Sequence, residues 1–309
     1  MRTDLKGTQC ENTFAGALSF MRRKYSRDLA GVDVAVTGIP FDCAVSHRPG
    51  ARFGPAAIRK ASAHFATGPI WPWKFDPFDT LAAIDYGDCP VDYADAPSID
   101  ATIQAHVRPI VESGAYLLSL GGDYYCSYPL LKAVAAVHGP LAFIHFDAHR
   151  DVEPSDDRVQ DHGAIFGYAI EDGVIDPKKS VQIGIRTTFE GEGDFGMTIL
   201  GADKVHASSP GEIAEIVRKV VGDNKTYLTF DIDCLDPAFA PGTGTPVPGG
   251  LSSYQALSIR RELTDINIVA SDLVEVLPAH DVVDITALAA AMVCAEMLCL
   301  RAARVSRKS

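Results

Sequence analysis

The sequence lacks the cysteine patterns of disulfide-stabilised and zinc-binding proteins. Its seven cysteines are an odd number, lie scattered along the chain and form no CxxC pair. This spacing argues against a disulfide framework or a zinc knuckle and is typical of reduced thiols in a cytoplasm. We therefore expect a cytoplasmic protein.

Basic residues and long apolar runs are also scarce. The 28 Lys and Arg residues are outnumbered by 40 Asp and Glu, which gives a net charge of −12 and argues against nucleic acid or an anionic membrane as partner. No apolar segment follows the charged residues Arg2, Asp4 and Lys6, so no signal peptide is evident. The longest apolar run, residues 285–300, contains Glu296 and is short for a bilayer. It predicts a buried helix.

Runs rich in Val, Ile and Leu alternate with helical patterns along the whole chain, with no repeat, low-complexity tract or dividing linker. We therefore expect one α/β domain over residues 1–309, with a parallel sheet covered on both faces. The predicted strands are 32–39, 81–86, 115–120, 141–146, 180–185, 226–232 and 266–276. The predicted helices are 54–65, 98–113, 128–138, 210–221, 253–263 and 285–305. Helix starts are indicated by Pro55 and by the N-cap candidates Ser98, Ser209 and Ser252. Residues 68–77 look like an ordered excursion.

Two strand ends carry closely spaced acidic residues. Asp147, His149 and Asp151 alternate just after the strand 141–146, and Asp231 and Asp233 repeat this spacing at the next such strand end. Alternate residues of a strand share one face, and buried carboxylates this close repel one another unless a cation lies among them. A single pair would indicate only a turn, but both together predict a divalent metal centre at the carboxyl edge of the sheet. This donor set suits Mn²⁺ best, with Fe²⁺, Co²⁺ or Ni²⁺ as alternatives.

These motifs resemble those of the ureohydrolases (arginase, agmatinase and relatives), and most of all the bacterial agmatinases. The matching segments are Gly121-Gly122-Asp123, residues 147–151, Asp161-His162-Gly163, residues 230–250 and Glu275. The resemblance covers nearly the whole chain. It implies a three-layer α/β/α sandwich around a mainly parallel sheet, assembled as trimers or hexamers.

The resemblance also implies a binuclear manganese site. In it Asp147 and Asp231 bridge two ions, His149 and Asp233 complete the shell of one ion, and Asp151 belongs to the other. Three residues would be catalytic: Asp151 orients the attacking water, His162 shuttles protons, and Glu275 grips the guanidinium group.

The chain departs from the family pattern at three positions. Tyr124 stands where the family has a histidine ligand, and a neutral phenol, whose reference pKa is about 10, is a poor ligand for Mn²⁺. Arg150 and Ala164 stand where threonine is common. Alternation would turn Arg150 away from the metals, either into a surface or interface ion pair or into a position where its charge partly replaces a missing cation.

Three interpretations follow from Tyr124. The enzyme holds two ions, one of them weakly; or it works with a single ion on Asp147, His149, Asp231 and Asp233; or it is a silent or regulatory subunit that assembles with an active paralogue. We expect an active hydrolase that converts agmatine to putrescine and urea, with another guanidino or biguanide compound as the alternative substrate. Residues 152–161 are expected to form the substrate mouth, where Glu153, Asp156 and Asp157 could attract a cationic tail.

Overall fold

A computed structural model describes residues 5–6, 12–153, 158–188 and 195–308. Within these residues nine strands form one sheet in the order β1-β3-β2-β4-β9-β8-β5-β6-β7, and every adjacent pair is parallel. The strands are Lys24–Tyr25 (β1), Val34–Gly38 (β2), Ala83–Asp88 (β3), Tyr116–Leu120 (β4), Leu141–Phe146 (β5), Ile175–Ile185 (β6), Thr198–Gly201 (β7), Thr226–Asp231 (β8) and Ile268–Val274 (β9). All seven predicted strands are present. The sequence missed β1 and β7, which lie at the two edges, are short and bury few side chains.

Helices cover both faces of this sheet. They are Gly54–Ser62 (α1), Ile99–Glu112 (α2), Ser127–His138 (α3), Ile165–Glu171 (α4), Ala202–His206 (α5), Pro210–Val221 (α6), Ser253–Arg261 (α7) and Ile285–Lys308 (α8). One hydrophobic core packs α1, α6, α7 and α8 against the sheet, and a second packs α2, α3 and α4 against its other face. Along β4, Leu118 enters the first core and Leu117 the second. The predicted three-layer α/β/α sandwich is confirmed.

The helix starts were predicted with one error. Ser209 and Ser252 each form a capping box, with Glu212 and Gln255 respectively. Ser98 does not cap α2, because it ends a 3₁₀ turn and its hydroxyl donates to the Asp95 carbonyl instead. The short helices α4 and α5 were not predicted.

Helix α8 contains the longest apolar run of the sequence. It is long and apolar enough to span a membrane by length and composition, but 72% of its most apolar window is buried inside the protein. Glu296 is also buried there, and it accepts hydrogen bonds from Arg261 beside the guanidinium of Arg260. The charge therefore has partners within the protein, and α8 is the core helix that was predicted.

Two further predictions agree with the structure. The excursion 68–77 is ordered and contains an antiparallel bridge between Ile70 and Phe75. The six cysteines within the described residues are free thiols, whereas Cys10 lies outside those residues.

The strand order determines where the site lies. Strands β4, β9, β8 and β5 are consecutive in the sheet, so the residues that follow their carboxyl ends meet at one edge. Those residues include Tyr124 after β4, Glu275 after β9, Asp231 at the end of β8 and Asp147 after β5. Parallel topology thus brings together side chains that are up to about 150 residues apart in sequence.

Candidate metal centre and adjoining cavity

Asp147, His149 and Asp233 form a tight cluster at this edge. His149 Nδ1 lies 3.4 Å from Asp147 Oδ1 and 3.1 Å from Asp233 Oδ2. Both carboxylates are fully buried, whereas His149 is partly exposed. Backbone N–H groups orient them, since that of His149 donates to Asp147 and that of Ala148 donates to Asp233. One nitrogen and two carboxylate oxygens therefore converge on one point, as a divalent ion requires.

Two more carboxylates surround this cluster. Burial opposes ionisation of Asp147, but its contacts with the imidazole rings of His145 and His149 hold its pKa below the usual value. Burial, followed by the charge of Asp147, instead raises the pKa of Asp151 well above its usual value. Burial and the charges of Asp233 and Asp147 do the same to Asp231. Burial and mutual repulsion therefore disfavour ionisation of all these carboxylates at once, and a bound cation would relieve that repulsion.

Backbone strain is concentrated at the same place. Asp151 and Glu275 adopt left-handed backbone conformations, with φ of 51° and 62°. Such conformations cost roughly 1–3 kcal/mol in residues other than glycine and persist where the surroundings enforce them. Here they set the directions of two carboxylates at the centre.

A cavity of about 300 Å³ opens beside the cluster, at the lower limit of the roughly 300–1,000 Å³ typical of small-molecule sites. Its walls include Asp151, Asp231 and His162, and also Glu153 and Asp161 from the two ends of the segment predicted to form the mouth. Of the other predicted mouth residues, Asp156 and Asp157 lie outside the described residues. Arg158 pairs with Glu171 and Asp172 at 2.9 and 2.8 Å, so its charge has carboxylate partners on α4.

Glu275 lies buried beside this cavity with only one of its oxygens engaged. Oε1 accepts hydrogen bonds from the Tyr124 backbone N–H at 2.9 Å and from His162 Nδ1 at 3.1 Å. Oε2 has no hydrogen-bond partner among the described residues. A Cβ added at Gly244 would lie 3.0 Å from this oxygen, so any side chain at that position would crowd it. Burying an unpaired carboxylate oxygen is costly, and this one is poised for a ligand with N–H donors.

His162 connects Glu275 to the cavity wall. Its Nε2 faces Ser46, whose hydroxyl lies 2.7 Å away and whose backbone N–H lies 3.1 Å away. Burial lowers the pKa of His162, but the hydrogen bond and charge of Glu275 outweigh this and raise it to about 10. The Ser46 N–H pointing at Nε2 opposes a proton on that atom. Nδ1 of His162 therefore faces Glu275, while its Nε2 faces Ser46 at the cavity wall.

Tyr124 points away from the cavity. Its ring is fully buried against His145 and Phe166, at centroid distances of 5.5 and 5.2 Å, and its hydroxyl lies 2.9 Å from Thr229 Oγ1. Thr229 in turn donates to the buried Asp272. Burial raises the pKa of Tyr124 well above its usual value. The phenol is thus committed to a hydrogen-bond chain inside the sheet.

The sequence analysis overlooked His145, although it stands two residues before Asp147 in the same alternation. His145 is fully buried, and its Nε2 lies 2.7 Å from Asp147 Oδ2. Gln182, on β6, lies 2.9 Å from His145 Nδ1. The period of two that predicted the acidic cluster also places His145 on that face, and it was the available signal.

Arg150 does not lie on an exposed surface, as one of the two alternatives for it required. Its side chain is only 3% exposed, its Nε lies 3.5 Å from Gln182 Oε1, and it forms part of the cavity wall. The alternation argument failed because β5 ends at Phe146, so the period of two does not extend reliably to residue 150. A buried guanidinium near the carboxylates is compatible with the predicted role as a partial substitute for a cation.

The donor set fits one divalent ion better than two. Asp147, His149 and Asp233 supply one nitrogen and two oxygens with Asp231 nearby, a set that suits Mn²⁺ or a related ion. A second group, of His145, Asp147 and Asp151, also converges. However, both ring nitrogens of His145 have partners, Nε2 in Asp147 Oδ2 at 2.7 Å and Nδ1 in Gln182 at 2.9 Å. Thr245, also missed by the sequence analysis, donates to Asp233 at 3.2 Å and so supports the first group.

Known proteins with similar sequences and folds identify the family of this chain. Residues 32–299 match the arginase family. The chain is 54% identical over 302 residues to an agmatinase of Chromobacterium violaceum, covering 97% of this chain and 93% of that protein. The crystal structure of a hypothetical agmatinase from Burkholderia thailandensis superposes with a TM-score of 0.96 at 52% identity, over 99% of this chain and 97% of the other. Proclavaminate amidino hydrolase from Streptomyces clavuligerus gives a TM-score of 0.90 at 37% identity, over 95% and 100%. The chain therefore belongs to the arginase family.

Proposed function

We propose that this protein is an agmatinase, which hydrolyses agmatine to putrescine and urea. The observation that carries the proposal is the buried Glu275 carboxylate, whose Oε2 lacks a hydrogen-bond partner among the described residues and lies next to Gly244. A guanidinium group presents a planar fork of N–H donors, which pairs well with such an oxygen. The similarity to agmatinases over nearly the whole chain supports this substrate.

A divalent ion bound by Asp147, His149 and Asp233, with Asp231 beside it, would supply Lewis acidity and lower the pKa of water. The residues of the chain provide the rest. Glu275 fixes the guanidinium and so positions its carbon. Asp151, held by its strained backbone, orients the attacking water through a hydrogen bond.

His162 handles the proton of the leaving amine. Its Nδ1–H is anchored on Glu275 Oε1, which places its Nε2 beside the Ser46 hydroxyl at the cavity wall. A proton taken up at Nε2 can pass to the leaving nitrogen or through Ser46 toward solvent. General acid catalysis of this kind contributes roughly 10²–10⁴-fold to the rate.

The cavity wall favours a cationic tail over a carboxylate. Glu153 and Asp161 lie at the two ends of the mouth segment, and Arg158 is paired with acids on α4. The aminobutyl tail of agmatine carries a positive charge, whereas arginine adds an α-carboxylate that these acids would repel. We therefore expect agmatine to be preferred over arginine and over guanidino acids.

Urea release tests this function directly. The purified chain is loaded separately with Mn²⁺, Ni²⁺, Fe²⁺ or Co²⁺ and assayed with agmatine, arginine, guanidinobutyrate and a biguanide. We expect the highest kcat/KM for agmatine with Mn²⁺. A higher kcat/KM for another compound would reassign the substrate, and no urea from any compound with any ion would refute a hydrolase.

We further propose that the protein acts in the cytoplasm as a homo-oligomer, a trimer or a hexamer. The free thiols among the described residues and the similarity to bacterial agmatinases support this. Light scattering coupled to size-exclusion chromatography gives the number of subunits. A monomeric mass would contradict the proposal.

The position of Tyr124 supports a second candidate function, a catalytically silent subunit that assembles with an active paralogue. Against it, Asp147, His149, Asp231, Asp233, His162 and Glu275 all retain a geometry that fits hydrolysis. Co-purification with a second ureohydrolase, together with no urea release by this chain alone, would favour the silent subunit.

A further inference from the structure

The space next to Asp151 and the cluster around His149 would offer a metal ion different histidine nitrogens. The nitrogen nearest to Asp147 on that side is His145 Nε2, at 2.7 Å from Asp147 Oδ2. To bind a metal through Nε2, an imidazole must carry no proton on that atom. The question is therefore which nitrogen of His145 holds the proton.

Gln182 answers it. Its side-chain Nε2 lies 2.7 Å from the carbonyl oxygen of Arg150 and 2.9 Å from His145 Nδ1. A carbonyl oxygen can only accept, so the atom facing it is the amide nitrogen, and the second N–H of that nitrogen points at His145 Nδ1. The Arg150 Nε at 3.5 Å from Gln182 Oε1 agrees with this orientation. Nδ1 is consequently an acceptor, and the proton of the neutral ring is on Nε2.

His145 therefore donates a hydrogen bond to Asp147 Oδ2 and is not available as a metal ligand. The bond also orients the carboxylate, because Oδ2 is held by His145 while Oδ1 is turned toward His149. A histidine in this position supports a ligand in the manner of outer residues at metal sites.

Tyr124 supplies no nitrogen donor to this space, and its hydroxyl is engaged elsewhere. Its ring packs on His145 and Phe166, and its hydroxyl donates to Thr229, which itself donates to Asp272. Rotating the phenol toward Asp151 would break the buried hydrogen bond between Tyr124 and Thr229, which is costly inside the protein. The second group is left with carboxylate oxygens and one N–H that points into it.

We propose that this chain binds one divalent ion, through Asp147 Oδ1, His149 Nδ1 and Asp233 Oδ2, and that Tyr124 and His145 together close the second ion position. The inference rests on the metal centre of the proposed function and specifies its stoichiometry. Asp151 is then free of metal and acts on water through hydrogen bonds alone.

The test counts ions and needs no substrate. The chain is stripped with a chelator, titrated with Mn²⁺ by equilibrium dialysis, and examined by electron paramagnetic resonance. We expect one tightly bound Mn²⁺ per chain with the spectrum of an isolated ion. Two tightly bound ions per chain, or the spectrum of an exchange-coupled pair, would overturn the inference.

Two variants test the role assigned to Tyr124. Tyr124→His places a shorter ring with a nitrogen donor at the position and should bind a second Mn²⁺ that couples to the first. Tyr124→Phe is the matched control, because it keeps the ring and adds no donor, and should bind one. A count of one in Tyr124→His, or of two in Tyr124→Phe, would refute Tyr124 as the blocking group. If Tyr124→His does not fold, the count for the natural chain still decides the stoichiometry.

The outcomes separate this inference from the proposed function. A chain that binds one ion but releases no urea refutes the function and leaves the stoichiometry intact. A chain that binds two ions and releases urea from agmatine refutes the stoichiometry and supports the function.

Discussion

Replacing Glu275 with glutamine tests the geometry at the base of the cavity. The carboxylate is 1% exposed, and its Oε1 accepts from Tyr124 and His162 while Oε2 faces the space beside Gly244. In Glu275→Gln the amide oxygen can keep both contacts of Oε1. The amide NH₂ then replaces Oε2 and directs donors at the donors of a guanidinium group. The substitution should therefore weaken only the binding of substrate.

The expected loss is large because the pair is desolvated. Removing one partner of a buried, hydrogen-bonded charge pair costs roughly 2–5 kcal/mol. At 1.36 kcal/mol per tenfold change, kcat/KM for agmatine should fall roughly 30- to 5,000-fold. The melting temperature should change by less than about 4 °C, since the internal hydrogen bonds persist.

Glu153→Gln is the matched control, because it makes the same chemical change at an exposed position of the cavity mouth. Exposed charges contribute at most about 1 kcal/mol, so kcat/KM should fall no more than roughly fivefold. Steady-state urea release and thermal unfolding of the three proteins provide the comparison. Equal losses in the two variants, or a loss below tenfold in Glu275→Gln, would refute the assignment of Glu275 to the guanidinium.

Further predictions concern the cavity, the pH dependence of stability and the interior of the sheet. Gly244→Ala puts a methyl group 3.0 Å from Glu275 Oε2 and should raise KM for agmatine at least tenfold. Gly211→Ala, in open space on α6, is the control and should leave KM unchanged. Equal KM values for the two variants would show that agmatine does not bind beside Gly244. Burial lowers the pKa of His106 to about 4, so its contribution to stability, at most about 3 kcal/mol, is complete above pH 6.5 and is lost as the pH falls toward 4. Urea unfolding between pH 7.5 and 4.5 should therefore show a shallower decline for His106→Gln than for the natural chain, and parallel declines would contradict this. Asp272→Ala leaves the hydroxyls of Ser127, Tyr227 and Thr229 without their acceptor and should lower the free energy of unfolding by roughly 3 kcal/mol or more; a loss below about 1 kcal/mol would contradict it.

Local sequence patterns were sufficient to predict most of the fold. The apolar runs and the alternation of strands with helices predicted the parallel sheet because burial on both faces removes the polar positions that would otherwise interrupt a strand. The edge strands β1 and β7 were not predicted because they bury few side chains. Ser98 was wrongly predicted to cap α2. Its hydroxyl donates to a carbonyl of the preceding 3₁₀ turn, and the sequence pattern did not indicate that turn.

At the site, spacing predicted the acidic cluster but not the directions of individual side chains. Asp147, His149 and Asp233 converge as predicted, since the carboxyl ends of neighbouring parallel strands share one edge. The burial of Arg150 in the cavity wall was not predicted from alternation, because the period of two stops with the strand at Phe146. Gly244 and Thr245 were not singled out, because only the fold brings their loop to Glu275 and Asp233.

The sequence by itself determined the layered fold, the edge of the sheet that carries the chemistry and the need for a cation among crowded carboxylates, because these follow from hydrophobic period, strand polarity and charge repulsion. Only the tertiary structure decided which oxygen of Glu275 accepts hydrogen bonds, which groups contact the two ring nitrogens of His145 and where the Tyr124 phenol points. Those features depend on hydrogen bonds between side chains from different strands, such as Gln182 on β6 and Thr229 on β8, whose partners are fixed only when the sheet assembles.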